Sequence, residues 1–153
     1  MAIPVVLVAG SRSYEHLEAV RNAVGSIEST ALVISGGARG VDSIAIAHAR
    51  ALGLKTFVYP ADWKTYGKRA GLLRNAVMVR MCTEALVFHD GTSRGTQHTL
   101  DLLDAGGKPY MLFGADGTLL LIAGLEGHEI AVTRQAPTVD LTEGEWVTGW
   151  VDL

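Results

Sequence analysis

Three short glycine-bearing segments each carry an arginine: Gly10-Ser11-Arg12-Ser13, Gly36-Gly37-Ala38-Arg39-Gly40 and Gly91-Thr92-Ser93-Arg94-Gly95-Thr96. Glycine lets backbone come close to a ligand, and a guanidinium fork matches phosphate oxygens. Where such a segment runs into a helix, free N–H groups and the partial positive charge of the helix start add to the attraction. One turn of this kind often does no more than end a strand. Three on one edge of a sheet make a phosphate-binding cleft.

Other residues can join them. In Pro60-Ala61-Asp62-Trp63-Lys64-Thr65-Tyr66-Gly67-Lys68, the aromatics Trp63 and Tyr66 suit stacking on a base, and Asp62 suits a ribose hydroxyl. The same segment reads equally as a packed lid. Arg74 and Asn75 lie in a helical stretch and face either the cleft or solvent. Asp42 sits where it can reach a ligand or simply favour a helix dipole. Asp90, after His89, binds a ribose hydroxyl or shapes its turn. His98 is a candidate acid or base, and equally a polar residue beside a helix start. His48 falls on an apolar stripe and reads as a core histidine. Cys82 reads as buried and inert. No His, Cys, Asp or Glu set has metal-ligand spacing, and no Gly-Lys-Ser/Thr phosphate loop is present, so neither a metal nor a cofactor is expected.

The elements that position these groups alternate. Nearly continuous apolar runs at 3–9, 31–34, 55–59, 85–88 and 109–113 have the character of strands buried on both faces of a parallel sheet. Helical spacing covers 14–27, 41–52, 69–82 and 95–105. Within the second helix Val41, Ile44, Ala45, His48 and Leu52 form one stripe, while 62–68 reads as a loop. This order predicts an α/β fold of Rossmann type: a doubly wound parallel sheet of about five strands, with the three turns at its carboxyl edge. Residues 118–122 and 129–133 read as a hairpin around Glu126-Gly127-His128, so a C-terminal antiparallel β extension is expected. One domain is expected over 1–153, with a parallel core at 1–114 and the extension at 115–153.

The chain has 153 residues, 48% of them hydrophobic, and a net charge of −3. That suffices for a core without covalent staples. The acidic balance argues against nucleic acid as a partner. A single cysteine suits a reducing compartment. The apolar start lacks a basic region and cleavage site and reads as a strand, and no run is long enough to span a membrane. A cytoplasmic protein is expected. Trp146 and Trp150, near the chain end, suggest a homodimer interface.

The motifs in their order, from Gly10-Ser11-Arg12 through Ser35-Gly36-Gly37-Ala38-Arg39-Gly40-Val41-Asp42, Pro60-Ala61-Asp62-Trp63, Tyr66-Gly67-Lys68, Gly71 and Arg74-Asn75 to Asp90-Gly91-Thr92-Ser93-Arg94-Gly95-Thr96, resemble the YspA-like branch of the SLOG superfamily. The resemblance covers roughly residues 5–113. It implies a Rossmann-like fold that binds a nucleotide or nucleotide-derived phosphate ligand, as a sensor or sequestering domain. The superfamily also holds the LOG phosphoribohydrolases, which cleave the N-glycosidic bond of nucleoside monophosphates, and the DNA-processing protein A family. By resemblance to the LOG enzymes, Arg74 takes the place of a motif arginine and Gly95-Thr96 matches the Gly-Thr of their glycine-rich motif. Their two glutamate positions are occupied here by His98 and Thr99. If the chain is an N-glycosidase, Arg74, His98 and Asp62 are its catalytic candidates, with Asp42 as a further carboxylate. Single-strand DNA binding is the third reading.

Overall fold

Short valine- and leucine-rich runs, each closed by a glycine, a proline or a polar turn, form the strands. The computed structural model describes residues 3–124. Five strands are parallel: β1 (Val5–Gly10), β2 (Leu32–Ser35), β3 (Lys55–Val58), β4 (Glu84–Phe88) and β5 (Tyr110–Phe113). A sixth, β6 (Leu119–Ala123), runs antiparallel to β5, and the order across the sheet is β3-β2-β1-β4-β5-β6.

Successive side chains of a strand point to opposite faces, and here both faces are covered. Val6, Val8, Val33, Leu86, Phe88 and Phe113 pack under α1 (Leu17–Gly25) and α2 (Val41–Ala51), against Val20, Val24, Val41, Ala45 and Ala49. Leu7, Ala9, Ile34, Ala85 and Val87 pack on the other face against Met78 and Val79 of α4 (Ala70–Met81) and Leu100 and Leu103 of α5 (Arg94–Ala105). Double coverage is why these strands read as unbroken apolar runs. Phe88 and Phe113 stack at 4.5 Å between centroids, across neighbouring strands. The edge strand β3 breaks the pattern, with Lys55 and Phe57 exposed.

From β1 the chain winds outward through α1 to β2 and β3. It then returns past β1 to β4 and winds the other way. The order therefore reverses between β1 and β4, the place where open sheets of this kind form a crevice at the carboxyl edge.

Several local expectations change. The first helix begins at Leu17, not at residue 14. Tyr14 is instead buried in the preceding turn, where its hydroxyl donates to the Gly114 carbonyl at 2.5 Å. The buried stripe of α2 is Val41, Asp42, Ala45, Ile46 and Ala49, so Leu52 is exposed and His48 only half-buried. A 3.6-residue period allows two adjacent stripes, and the helix sits on the one that buries Asp42. Residues 62–68 are not a loop: α3 (Trp63–Tyr66) is followed by a 3-10 turn (Gly67–Arg69). β6 falls where the first strand of the hairpin is expected, at 118–122, and it pairs antiparallel with β5. The hairpin's turn at 126–128, its second strand at 129–133, and Trp146 and Trp150 lie outside the described residues. Cys82 is buried, and burial pushes its thiol up to about 11, so it stays protonated. Among the described residues no helix is long and apolar enough to cross a membrane.

Candidate functional site

The turns after β1 and β4 are tied together by side chains. Asp90 Oδ1 accepts from the backbone N–H groups of Thr92 and Ser93, each at 2.9 Å, and Oδ2 accepts from Ser13 Oγ at 3.2 Å. Ser11 Oγ accepts from the Asp90 N–H at 3.2 Å. The N–H groups of Thr92 and Ser93 hold the Asp90 carboxyl well below the usual carboxylate range, so it is ionised at any working pH. Ser93 then caps α5 by accepting from the N–H and the hydroxyl of Thr96, at 3.2 and 2.9 Å.

The turn after β2 lies against the same place. Gly40 has φ +78, and a Cβ there would stand 2.4 Å from the Arg12 carbonyl oxygen, so only glycine lets the second turn lie on the first. The next turn of chain buries Asp42, which is 6% exposed and accepts from the Ala38 N–H at 3.1 Å. Burial pushes its carboxyl up to about 6, against the pull of the Ala38 N–H and the Arg74 charge. Arg74, from α4, donates through Nη1 to the Gly36 carbonyl, while its Nε is buried without a partner. Burial lowers the Arg74 pKa, and Asp42 partly offsets this.

The segment before α4 is built otherwise. Asp62 caps α3 by accepting from the Thr65 N–H at 3.0 Å. Trp63 and Tyr66 stand 51% and 52% exposed.

These pieces enclose two adjoining cavities. The larger, about 450 Å³, holds Gly10, Ser11, Arg12, Asp42, Trp63, Arg74, Asn75, Asp90, Ser93, Gly95 and Thr96 of the sequence candidates. The smaller, about 300 Å³, adds Gly36 and Gly37 and shares Arg12, Trp63 and Arg74. Arg39, Gly40, Asp62, Gly91, Arg94 and His98 line neither cavity. Arg39, in the turn after β2, and Arg94, the first residue of α5, are exposed, and Gly40 lies against the backbone of the β1 turn. Asp62 is exposed and engaged as a cap.

His98 stands apart for a helical reason. α5 buries Thr96, Thr99, Leu100 and Leu103, and position 98 lies off that face. Its Nδ1 is buried without a partner. The cavity wall carries Thr99 instead, whose hydroxyl donates to the Gly95 carbonyl. Lys68, Thr92, Met78, Pro60 and Ala61 also line the cavities, though the sequence did not single them out as ligand contacts. The spacing of Thr96, Thr99, Leu100 and Leu103 was the available signal for Thr99. Among the described residues, no group of three or more His, Cys, Asp or Glu side chains gathers where it could hold a metal ion.

Known proteins resemble this chain in sequence and in fold. Residues 4–66 match the family described as YspA, cpYpsA-related SLOG. The chain is 35% identical over 119 residues to the Gene 61 protein of Mycobacterium phage D29, covering 71% of this chain and 95% of that one. Among solved structures it is similar to DNA processing protein A of Streptococcus pneumoniae, with a TM-score of 0.62 and 20% identity over 73% of this chain. The Helicobacter pylori DNA processing protein A, described for its single-stranded DNA binding mode, gives 0.55 and 22% over 72%. A structural-genomics target, TM1055, gives 0.53 and 20%, covering 71% of this chain and 72% of that one. The chain spans half the length of the first of these structures and 64% of the second. At these identities the structural likeness is one of fold.

Proposed function

The chain belongs to the YspA, cpYpsA-related SLOG family, and from that premise we propose that its cleft binds a nucleotide or nucleotide-derived phosphate ligand, as a sensor or sequestering domain. One observation carries the reading. The cavity at the strand-order reversal is lined by Arg12, Lys68 and Arg74, by the hydroxyls of Ser11, Ser93 and Thr96, and by the first turn of α5. Cations, hydroxyls and helix-start N–H groups are what a phosphate needs.

The carboxylates of the cavity suit binding better than hydrolysis. Cleaving an N-glycosidic bond needs a carboxylate to stabilise an oxocarbenium-like centre, or a base for water. Asp90 is engaged with the backbone of its own turn, and Asp42 is buried and hydrogen-bonded to Ala38. Where the LOG motif has glutamates, this chain has His98, off the cavity wall, and Thr99, bonded to Gly95. A nucleoside phosphate at about 100 times its Kd stabilises the fold by about 2.7 kcal/mol. A thermal-shift panel of nucleoside phosphates, cyclic nucleotides and ADP-ribose derivatives therefore gives a clear hit, weakened by Arg12→Ala. Chromatography of the same mixtures shows no free base. Rapid base release lost in both Arg74→Ala and Asp42→Asn would turn the reading to an N-glycosidase.

Single-stranded DNA is the second reading, and the distribution of charge favours it more than the net charge does. Residues 3–124 hold twelve Lys and Arg against ten Asp and Glu, and residues 125–153 hold one against six. The net −3 therefore hides a basic main body, and the argument against nucleic acid from overall charge loses its force. One structural neighbour is described as binding single-stranded DNA, which is at odds with leaving nucleic acid out. Anisotropy of a labelled oligothymidylate separates the readings, since backbone binding falls steeply with salt.

A homodimer is also part of the proposal. Leu73, Val77 and Met81 recur every four residues along α4 and are exposed, the kind of stripe that marks an interface. Light scattering at tens of micromolar distinguishes dimer from monomer.

A further inference from the structure

The cleft is divided, and the division is built. Arg74 and Trp63 line both cavities and lie along their shared border with Arg12 and Ala38. Each of the two side chains is seated on a glycine. A Cβ at Gly36 would stand 2.9 Å from Arg74 Cζ, and one at Gly71 would stand 3.3 Å from Trp63 Cη2. Any side chain at Gly36 displaces the guanidinium, and one at Gly71 crowds the indole. The two glycines therefore fix where one compartment ends and the next begins.

The compartments differ in chemistry. The larger has hydroxyls, an amide, Lys68 and Asp42. Apart from the shared residues, the smaller has only Val58, Pro60, Ala61 and the backbone of Gly36 and Gly37, with no ionisable side chain of its own. A phosphate desolvated against valine, proline and alanine lacks partners there, whereas a flat uncharged heteroaromatic ring finds apolar walls, peptide groups for its edge and the open face of Trp63. At about 300 Å³ the smaller compartment alone sits at the lower bound for a ligand site.

We propose that the smaller compartment is the base subsite, stacked by Trp63, and that the sugar-phosphate lies beyond Arg74 in the larger one. This assignment rests on the phosphate-ligand reading and names the ligand class more narrowly: a nucleoside phosphate held at both ends. Trp63 is then a specificity-determining residue, and Gly36 and Gly71 are positioning residues that act through Arg74 and Trp63.

The two ends can be tested separately by calorimetry, with ribose 5-phosphate and the four common ribonucleoside 5′-monophosphates as probes. Ala61→Trp fills the smaller compartment. It weakens the best-binding monophosphate at least tenfold and changes ribose 5-phosphate less than twofold. Trp63→Ala, which removes the stacking face without filling space, weakens the same monophosphate roughly tenfold, and more than it weakens ribose 5-phosphate. The unfolding midpoint of each variant checks that it is folded, and either folded variant suffices. A monophosphate that binds both variants as well as the unmodified protein, or equal losses for both classes of probe, overturns the base subsite and leaves the phosphate reading standing. An unmodified protein that binds neither class overturns the base subsite, and the phosphate reading falls with it when diphosphates, cyclic nucleotides and ADP-ribose are silent too.

Discussion

The wall contributed by the turns after β1 and β4 is crossed by side-chain hydrogen bonds from Ser11, Ser13, Asp90 and Ser93, whereas residues 62–69 include no buried residue and are shaped by one cap, Asp62 on Thr65. The first wall stands on β1 and β4, the most interior strands of the sheet. The second follows β3, the edge strand, half exposed along its length. A cleft made this way has one side held in place before any ligand arrives, which limits the ordering cost of binding. Its other side brings large aromatic surfaces whose burial is left for the ligand to complete.

The largest expected effect is in the first turn of α2, which lines the cleft beside the fixed wall. Asp42 takes up a proton more readily in the fold than in the unfolded chain. Its contribution to stability is therefore full below pH 4 and is lost as the pH rises through 6. A rise from 3.8 to about 6 corresponds to about 3 kcal/mol. Asp42→Asn keeps an acceptor for the Ala38 N–H without the charge. Urea unfolding at pH 4 and pH 7.5 should show the variant gaining stability over the unmodified chain by roughly that amount across the interval. A constant difference between the two chains removes the buried-acid account.

Next comes Asp90. Replacing it by alanine strips two backbone N–H groups and the Ser13 hydroxyl of their acceptor, at a cost of about 2 kcal/mol. Because its pKa is depressed, the contribution is present at neutral pH and is lost only as the pH falls below the ordinary carboxylate range. Denaturation at pH 7 checks the size. If Asp90→Ala is neutral, the fixed wall is not fixed by this residue. Asp62→Ala marks the small end. Loss of a cap costs about 1 kcal/mol where the helix matters to the fold, and α3 buries nothing. A midpoint shift under about 0.5 kcal/mol is expected, with weaker ligand binding as the main trace. A loss as large as that of Asp90→Ala would erase the contrast between the walls.

Much of this was legible because the core obeys simple periods. The unbroken apolar runs of β1, β2 and β4 and the glycine-bearing segments that follow them place three turns at one edge. What the sequence did not disclose depends on angles around helices and on who bonds to whom. His98 sits two residues from Thr96, yet a helix turns by roughly 200° over that distance, so nearness in sequence put it off the wall. Asp90 sits at the right edge for a sugar hydroxyl, but both oxygens are engaged by its own turn and by Ser13. Asp62-Trp63-Lys64-Thr65 carries a capping pattern, an Asp accepting from the third residue on, yet aromatic and polar composition reads as loop when the segment is only one turn long. Gly71 and Gly36 are plain only once Trp63 and Arg74 lie against them.

The central claim is most directly tested by one calorimetric titration series: the folded chain at constant ionic strength, against nucleoside mono- and diphosphates, ADP-ribose and an oligothymidylate. The account predicts saturable binding of at least one nucleoside phosphate at one site per chain, weakened about tenfold or more by Arg12→Ala. Silence toward every nucleoside phosphate together with tight, salt-sensitive binding of the oligonucleotide would contradict it and leave the DNA reading in its place.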